Sequence, residues 1–144
     1  MTRTASRRTW LTVGALAGTL VLTVACSARE DVPTPPDEAT PEQVVRAYAD
    51  AVHAGDCDTA QTLVADRSES WCGNVDITAM TVTGTTQERK STQSGDGPVI
   101  QRVWVNLTSR GGDASLPDGE LKWSYLLDRT GPKGAWRIYD QGMG

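Results

Sequence analysis

The sequence predicts an α+β domain in which two short helices precede a sheet of four antiparallel strands. Apolar residues recur at the 3.6-residue spacing of a helix between residues 41 and 54, and they change to the two-residue alternation of a strand after Gly73. The alternating segments are separated by links of turn-forming composition, which favours consecutive antiparallel strands. Helices followed by such strands are typical of a helical layer on one face of a sheet.

The first helix has a defined start and end in the sequence. Thr40 supplies an N-cap, Pro41 occupies the first helical position, and Gln43 completes a capping box. Gly55 follows as the C-terminal stop. The side chains that share the apolar face are Val44, Val45, Tyr48, Ala51 and Val52.

A second, shorter helix is predicted directly after Gly55. Asp56 can cap it, and the helical spacing extends from Cys57 to Ala65. Its apolar face contains Cys57, Ala60, Leu63 and Val64.

Four segments then show strand periodicity. The first covers residues 75–86 and loses its apolar parity between Ile77 and Met80, which predicts a bulge or bend. The links are expected at residues 87–98, 109–119 and 130–134. The inward positions of the other three strands are Val99, Val103, Val105 and Leu107, then Leu121, Trp123, Tyr125 and Leu127, and finally Trp136 and Ile138.

The N-terminus has the organisation of an export signal. Residues 1–9 contain three arginines and no acid, and residues 10–25 are uncharged and mostly apolar. This run of 16 residues is shorter than the roughly 20 that a membrane-spanning helix needs. A signal peptide over residues 1–25 is therefore predicted, with a retained anchor helix as the alternative.

The segment Leu22-Thr23-Val24-Ala25-Cys26 resembles the bacterial lipobox, although Thr23 stands where that family usually has Leu. The resemblance implies cleavage before Cys26 and attachment of diacylglycerol, with palmitate-type acyl chains, to its sulfur. It also implies a lipoprotein anchored on the extracytoplasmic face of the cell membrane. The alternative is an ordinary secretory cleavage site beside a coincidental cysteine.

The route of export stays open. The segment Ser6-Arg7-Arg8-Thr9-Trp10-Leu11 resembles the twin-arginine export motif, with Trp in place of its usual Phe. Paired arginines are also common in signals that use the general secretory route, so both routes are retained.

Residues 26–40 are predicted to form the lipidated cysteine and a disordered tether, because they are rich in proline and acids. The folded domain is then expected over residues 41–144. With Cys26 lipidated, Cys57 and Cys72 are the remaining cysteines, and both lie outside the reducing cytoplasm. A disulfide between them is predicted, and a metal site is the less favoured alternative because no histidine other than His53 is near them in the sequence.

The chain from Thr40 to Gly142 also resembles a known family. The first helix, the Ala-Gly-Asp-Cys turn at residues 54–57, the cysteine pair and the segment Gly-Ala-Trp-Arg-Ile-Tyr-Asp at residues 134–140 are similar to the nuclear-transport-factor-like (cystatin-like) cone fold. The similarity is to its actinobacterial secreted lipoprotein branch in particular. It implies a curved sheet around the helices, open at one end.

Enzymes of that fold, among them ketosteroid isomerases and polyketide cyclases, hold a base and a hydroxyl or acid donor in the cone. The residues that would line a pocket here are Tyr48, Trp104, Trp123 and Asp140, the last expected in phase with Trp136 and Ile138. Each also has a plain structural interpretation: Tyr48 as a core ring, Asp140 as a solvated acid, and His53 as a cation near a helix end.

No catalytic constellation, cofactor motif or metal-ligand spacing is recognised in the sequence. Without Arg3, Arg7 and Arg8 the chain has 11 basic against 18 acidic residues, a net charge of −7, which argues against nucleic acid as a partner. We therefore expect a non-catalytic module that binds an envelope protein or a small apolar ligand. An isomerase or hydrolase that uses the cone interior is the alternative, and a purely structural role in the envelope is a third.

Overall fold

The computed structural model describes residues 31–66, 68–89, 99–114, 116–129 and 131–143. They form helices α1 (Pro41–Ala54) and α2 (Cys57–Thr62) and strands β1 (Asp76–Arg89), β2 (Val99–Arg110), β3 (Gly119–Arg129) and β4 (Trp136–Met143). The strands pair antiparallel in the order β1-β2-β3-β4. The predicted α+β class and strand meander are confirmed, and the predicted signal peptide and Cys26 lie outside the described residues.

The two ends of helix α1 are formed by the capping residues from which the sequence predicts them. The Gln43 N–H donates to Thr40 Oγ1 at 3.4 Å, and the Thr40 N–H donates to Gln43 Oε1 at 2.8 Å, which completes the capping box. Gly55 adopts the left-handed conformation (φ 69°) at the C-terminus, where a side chain would be strained. The start and stop signals thus set the length of the helix.

Helix α2 ends at Thr62, so the predicted extension to Ala65 is wrong. The Ile138 N–H donates to the Leu63 carbonyl at 3.0 Å, and the Ala65 N–H donates to the Ile138 carbonyl at 2.8 Å. Val64 thereby forms a parallel bridge with Ile138. The backbone of residues 63–65 leaves the helix because β4 supplies its hydrogen-bond partners.

Side chains on one face of the sheet pack against α1, and this face is called the inner face. The opposite face is called the outer face. The largest fully buried side chains of the core are Tyr48, Tyr125, Leu63, Leu107, Leu127 and Ile138.

Three bulges interrupt the sheet. The predicted bulge is confirmed at Thr78, where β1 shifts register between Ile77 and Ala79. A second shift surrounds Thr83, and a third surrounds Tyr139 on β4. Each extra residue reverses the face to which the following residues point, so alternation read from the sequence alone assigns them to the wrong side.

The folded part begins before the predicted domain boundary. The Val32 N–H donates to Asp56 Oδ2 at 3.1 Å, and the Val32 side chain packs against the core. Ala39 is buried as well. Part of the predicted tether is therefore attached to the domain. In the described residues no helix combines the length and apolar character needed to cross a membrane.

Cys57 and Cys72 form the predicted disulfide, with their Cα atoms 5.1 Å apart. The bond joins α2 to the segment that precedes β1. It closes a loop with a sequence separation of 15 residues.

Replacing both cysteines, Cys57→Ser with Cys72→Ser, should lower the free energy of unfolding by about 3 kcal/mol, because the unfolded chain regains the entropy of the open loop. Urea unfolding followed by circular dichroism measures it, with Cys26→Ser as the control that leaves the domain unchanged. A loss below about 1 kcal/mol would show that the bond adds little to stability.

Candidate functional site

A cavity lies between β3, β4, the segment before β1 and the link between β2 and β3. Its volume is about 570 Å³, and it opens to solvent. The residues that line it are Trp71, Asn74, Val75, Gly111, Gly112, Asp113, Leu116, Trp123 and Gln141. Two indole rings, two amides and one carboxylate are therefore its most distinctive side chains.

Trp71 is held in the cavity wall by its backbone. Its N–H donates to the Tyr48 hydroxyl at 2.9 Å, and its carbonyl accepts from the N–H groups of Asn74 at 2.9 Å and Val75 at 3.1 Å. The disulfide at the next residue, Cys72, adds a covalent tie. The Trp71 ring then contacts Trp123, with the ring centroids 5.2 Å apart.

The link between β2 and β3 forms the opposite wall. Gly111 N–H donates to Asp118 Oδ1 at 2.7 Å, and Leu116 N–H donates to the Asp113 carbonyl at 3.1 Å. A Cβ atom at Gly112 would lie 1.9 Å from the Leu116 carbonyl oxygen, so a residue other than glycine would displace this turn. The turn buries Leu116 against the core.

The β4 bulge decides which residue of that strand reaches the cavity. Ile138 pairs with Leu127 and Gln141 pairs with Tyr125, both on the inner face. Tyr139 is the extra residue, and Asp140 pairs with Leu126 on the outer face. Asp140 therefore loses the expected phase with Ile138, and Gln141 takes the inner position.

Three polar atoms in and beside the cavity wall are buried without a hydrogen-bond partner in the described part of the chain: Trp123 Nε1, Tyr125 OH and Gln141 Oε1. A buried polar atom that lacks a partner costs free energy of folding. Such atoms are rare in folded proteins, and their concentration at one cavity needs an explanation.

The two buried tyrosines beside this wall stay protonated at neutral pH. Burial raises the pKa of Tyr125 well above its ordinary value, and the neighbouring Tyr48 adds to the shift. Burial also raises the pKa of Tyr48, while hydrogen bonds with the Trp71 backbone and the Gln141 side chain lower it in part. Their rings meet edge to face, 5.8 Å apart. Neither hydroxyl is suited to act as a base.

The four predicted pocket residues are not brought together. Trp123 lines the cavity, and Tyr48 lies beneath it with a fully buried side chain. Trp104 and Asp140 lie on the outer face. His53 pairs with Asp76 through Nδ1 and Oδ1 at 2.8 Å, and it does not line this cavity.

Of the lining residues the sequence analysis named only Trp123, and Trp71 and Gln141 are the most important of those that it missed. Trp71 precedes Cys72, so the predicted disulfide was a signal that its backbone is fixed. Gln141 had no such signal, because its position depends on the Tyr139 bulge. Among the described residues no group of three or more His, Cys, Asp or Glu side chains could hold a metal ion.

Comparisons with protein families, with curated proteins and with solved structures find no match to this chain.

The substitutions Tyr48→Phe and Tyr125→Phe should differ in their effect on the free energy of unfolding. Tyr48→Phe leaves the part-buried Trp71 N–H without its acceptor and should lower the free energy of unfolding by about 1–3 kcal/mol. Tyr125→Phe removes a hydroxyl that lacks a partner, so it should leave that free energy unchanged or raise it by up to about 1 kcal/mol. Urea unfolding of the two variants measures both changes, and a larger loss in Tyr125→Phe than in Tyr48→Phe would contradict the assignment.

Proposed function

We propose that this chain is a lipid-anchored extracytoplasmic protein that binds a small, mainly apolar ligand in the cavity lined by Trp71 and Trp123. The observation that carries the proposal is the cavity of about 570 Å³ with partnerless polar atoms in and beside its wall. Binding pockets combine apolar side chains with placed polar groups, and the lining of this cavity contains both.

The partnerless atoms of the lining favour a ligand that has a hydrogen-bond acceptor and a hydrogen-bond donor. Trp123 Nε1 is a donor and Gln141 Oε1 is an acceptor, and both lack a partner in the described structure. Both atoms are buried, and the Trp71 and Trp123 ring centroids are 5.2 Å apart, so a ligand would reach the two atoms by displacing one of these rings. Bonds to the ligand would then recover the free energy lost by their burial.

The architecture is compatible with a cone, and we propose that fold for the domain. The strand order and the packing of α1 against one face agree with it, and the bulges at Thr78, Thr83 and Tyr139 are features that bend a sheet. The cavity at the end of the inner face would be its open end.

We favour binding over catalysis because Asp140, the candidate base or acid, lies far from Tyr48, the candidate hydroxyl donor. Tyr48 is fully buried beneath the inner face, and Asp140 is exposed on the outer face. They cannot act on the same substrate atom in this arrangement. The isomerase or hydrolase alternative would therefore need other residues of this chain.

The anchor is tested by the intact mass of the protein from membranes of the expressing cells. We expect a chain that starts at Cys26 and carries a diacylglycerol group, and we expect Cys26→Ser to move the protein to the soluble fraction. An unmodified chain that starts elsewhere would contradict the lipoprotein proposal.

The cavity is tested with the apolar fluorophore N-phenyl-1-naphthylamine, whose emission rises in an apolar site. Asn74→Trp places an indole at the mouth of the cavity and should weaken binding about tenfold, the equivalent of 1.4 kcal/mol. Lys133→Trp, on the exposed turn before β4, is the matched control and should bind like the unaltered chain.

Absence of fluorophore binding to the unaltered chain would refute an apolar cavity site. Equal weakening in the two variants would place the fluorophore elsewhere. Both variants should first be shown to unfold at the urea concentration of the unaltered chain, so that a change in binding reports on the cavity.

A further inference from the structure

The Trp71 ring packs against two side chains whose polar atoms lack partners. Its centroid lies 5.2 Å from that of Trp123 and 6.4 Å from that of Tyr125. Trp123 Nε1 and the Tyr125 hydroxyl are both buried without a hydrogen-bond partner in the described part of the chain. Because Trp71 also lines the inner-face cavity, its ring lies where a ligand would have to pass to reach these atoms.

Of the two indoles at this cavity, Trp71 is the one that is free to turn. Trp123 lies within β3, and only 5% of its surface is exposed. Trp71 is half-buried and belongs to no helix or strand. Its side chain forms no hydrogen bond with another described residue, so ring packing alone holds it in place. Rotation of this ring therefore breaks no hydrogen bond.

The backbone of Trp71, in contrast, is fixed. Its N–H donates to the Tyr48 hydroxyl, its carbonyl accepts from two N–H groups that follow it, and the disulfide begins at the next residue, Cys72. The motion that remains is rotation about the side-chain bonds, which needs no movement of the surrounding chain. The ring can thus swing while the rest of the cavity wall keeps its shape.

The two atoms behind the ring favour an acceptor as their partner. An indole Nε1–H can only donate. Burial raises the pKa of Tyr125 well above its ordinary value, so its hydroxyl keeps its proton and is also able to donate. The cavity lining contains one carboxylate, Asp113, and no Lys, Arg or His side chain. An anionic acceptor would have no counter-charge there, which favours a neutral oxygen.

From this arrangement we infer that the Trp71 ring is the gate of the inner-face cavity, and that it opens for an uncharged apolar molecule that carries a carbonyl oxygen. The carbonyl accepts from Trp123 Nε1 or the Tyr125 hydroxyl, and the apolar body replaces the packing of the displaced indole. Without a ligand the closed ring is favoured because it covers apolar surface, and the ligand stabilises the open position through the bonds that it gains there. The inference rests on the proposed function and adds the ring that moves and the group that the ligand presents.

The probe is 1-tetralone, a flat bicyclic ketone, and tetralin has the same two rings without the carbonyl oxygen. The protein is the full chain with Cys26→Ser, taken from the soluble fraction. In two-dimensional ¹H–¹⁵N spectra 1-tetralone should move the Trp123 indole N–H downfield, as expected for a donor that gains an acceptor, and tetralin should not. Proton–proton cross-relaxation between the Trp71 and Trp123 rings is expected in the free protein from their separation, and it should disappear in the 1-tetralone complex.

Two pairs of variants separate the hydrogen bond from the gate. Tyr125→Phe should lower the affinity for 1-tetralone relative to tetralin roughly two- to tenfold, because one donor is lost. Tyr139→Phe removes a hydroxyl outside the cavity lining and should leave that ratio unchanged. Trp71→Ala should bind 1-tetralone at least as tightly as the unaltered chain, because no ring has to turn away. Trp104→Ala removes an indole from the outer face and should not change the affinity.

Retained cross-relaxation between the Trp71 and Trp123 rings in the 1-tetralone complex would overturn the gate, and so would a loss of affinity above about tenfold in folded Trp71→Ala. An unshifted Trp123 N–H together with an unchanged affinity ratio in Tyr125→Phe would overturn the carbonyl. If 1-tetralone and tetralin bind while the two rings stay in contact, the proposed apolar site stands and this inference fails. If neither they nor N-phenyl-1-naphthylamine bind, both proposals fail.

Discussion

The Tyr48 hydroxyl is the contact on which the rest of the structure depends. Tyr48 is fully buried on α1, and its oxygen accepts the Trp71 N–H at 2.9 Å. Its ring also meets Tyr125 of β3 edge to face. One side chain therefore joins the helix, the segment before β1 and the centre of the sheet. The inner-face cavity keeps its shape because its Trp71 wall is fixed from below.

The register of the strands is the second constraint, because it determines which polar side chains lie on each face of the sheet. The Tyr139 bulge moves Asp140 to the outer face and brings Gln141 to the inner face. An amide consequently takes the β4 position beside the cavity, and Asp140 is kept away from it. Asp113, on the opposite wall, is the carboxylate that lines the cavity, and its Oδ1 accepts from the Leu116 N–H at 3.3 Å.

The sequence predicts well those elements that local physics determines. The Thr40 capping box, the Gly55 stop and the Cys57–Cys72 bond depend on neighbouring residues or on compartment, and all three are present. The end of α2 was predicted too late because Leu63 and Ala65 exchange backbone bonds with Ile138, a residue distant in the sequence. Local propensity contains no information about such a partner.

The candidate sites were less predictable for the same reason. Trp123 was named as a pocket residue and lines the cavity, but Trp104, named with it, lies on the other face. β2 has no bulge, and Trp104 stands between the inward residues Val103 and Val105, so the alternation within this one strand already indicated the outer face. Asp140 is the different case, because its face depends on the Tyr139 bulge, which the sequence did not reveal.

The attachment of Val32 to Asp56 limits how the inner-face cavity meets its ligand. The Asp56 carboxylate accepts from the Val32 N–H through one oxygen and from the Thr59 N–H through the other, so the N-cap of α2 also holds the incoming chain. Val32 follows Cys26 by six positions in the sequence, and at 3.3–3.6 Å per residue this distance is at most about 22 Å. If Cys26 carries lipid as proposed, the domain stays close to the membrane surface. An apolar ligand would then pass from the bilayer to the inner-face cavity over a short distance.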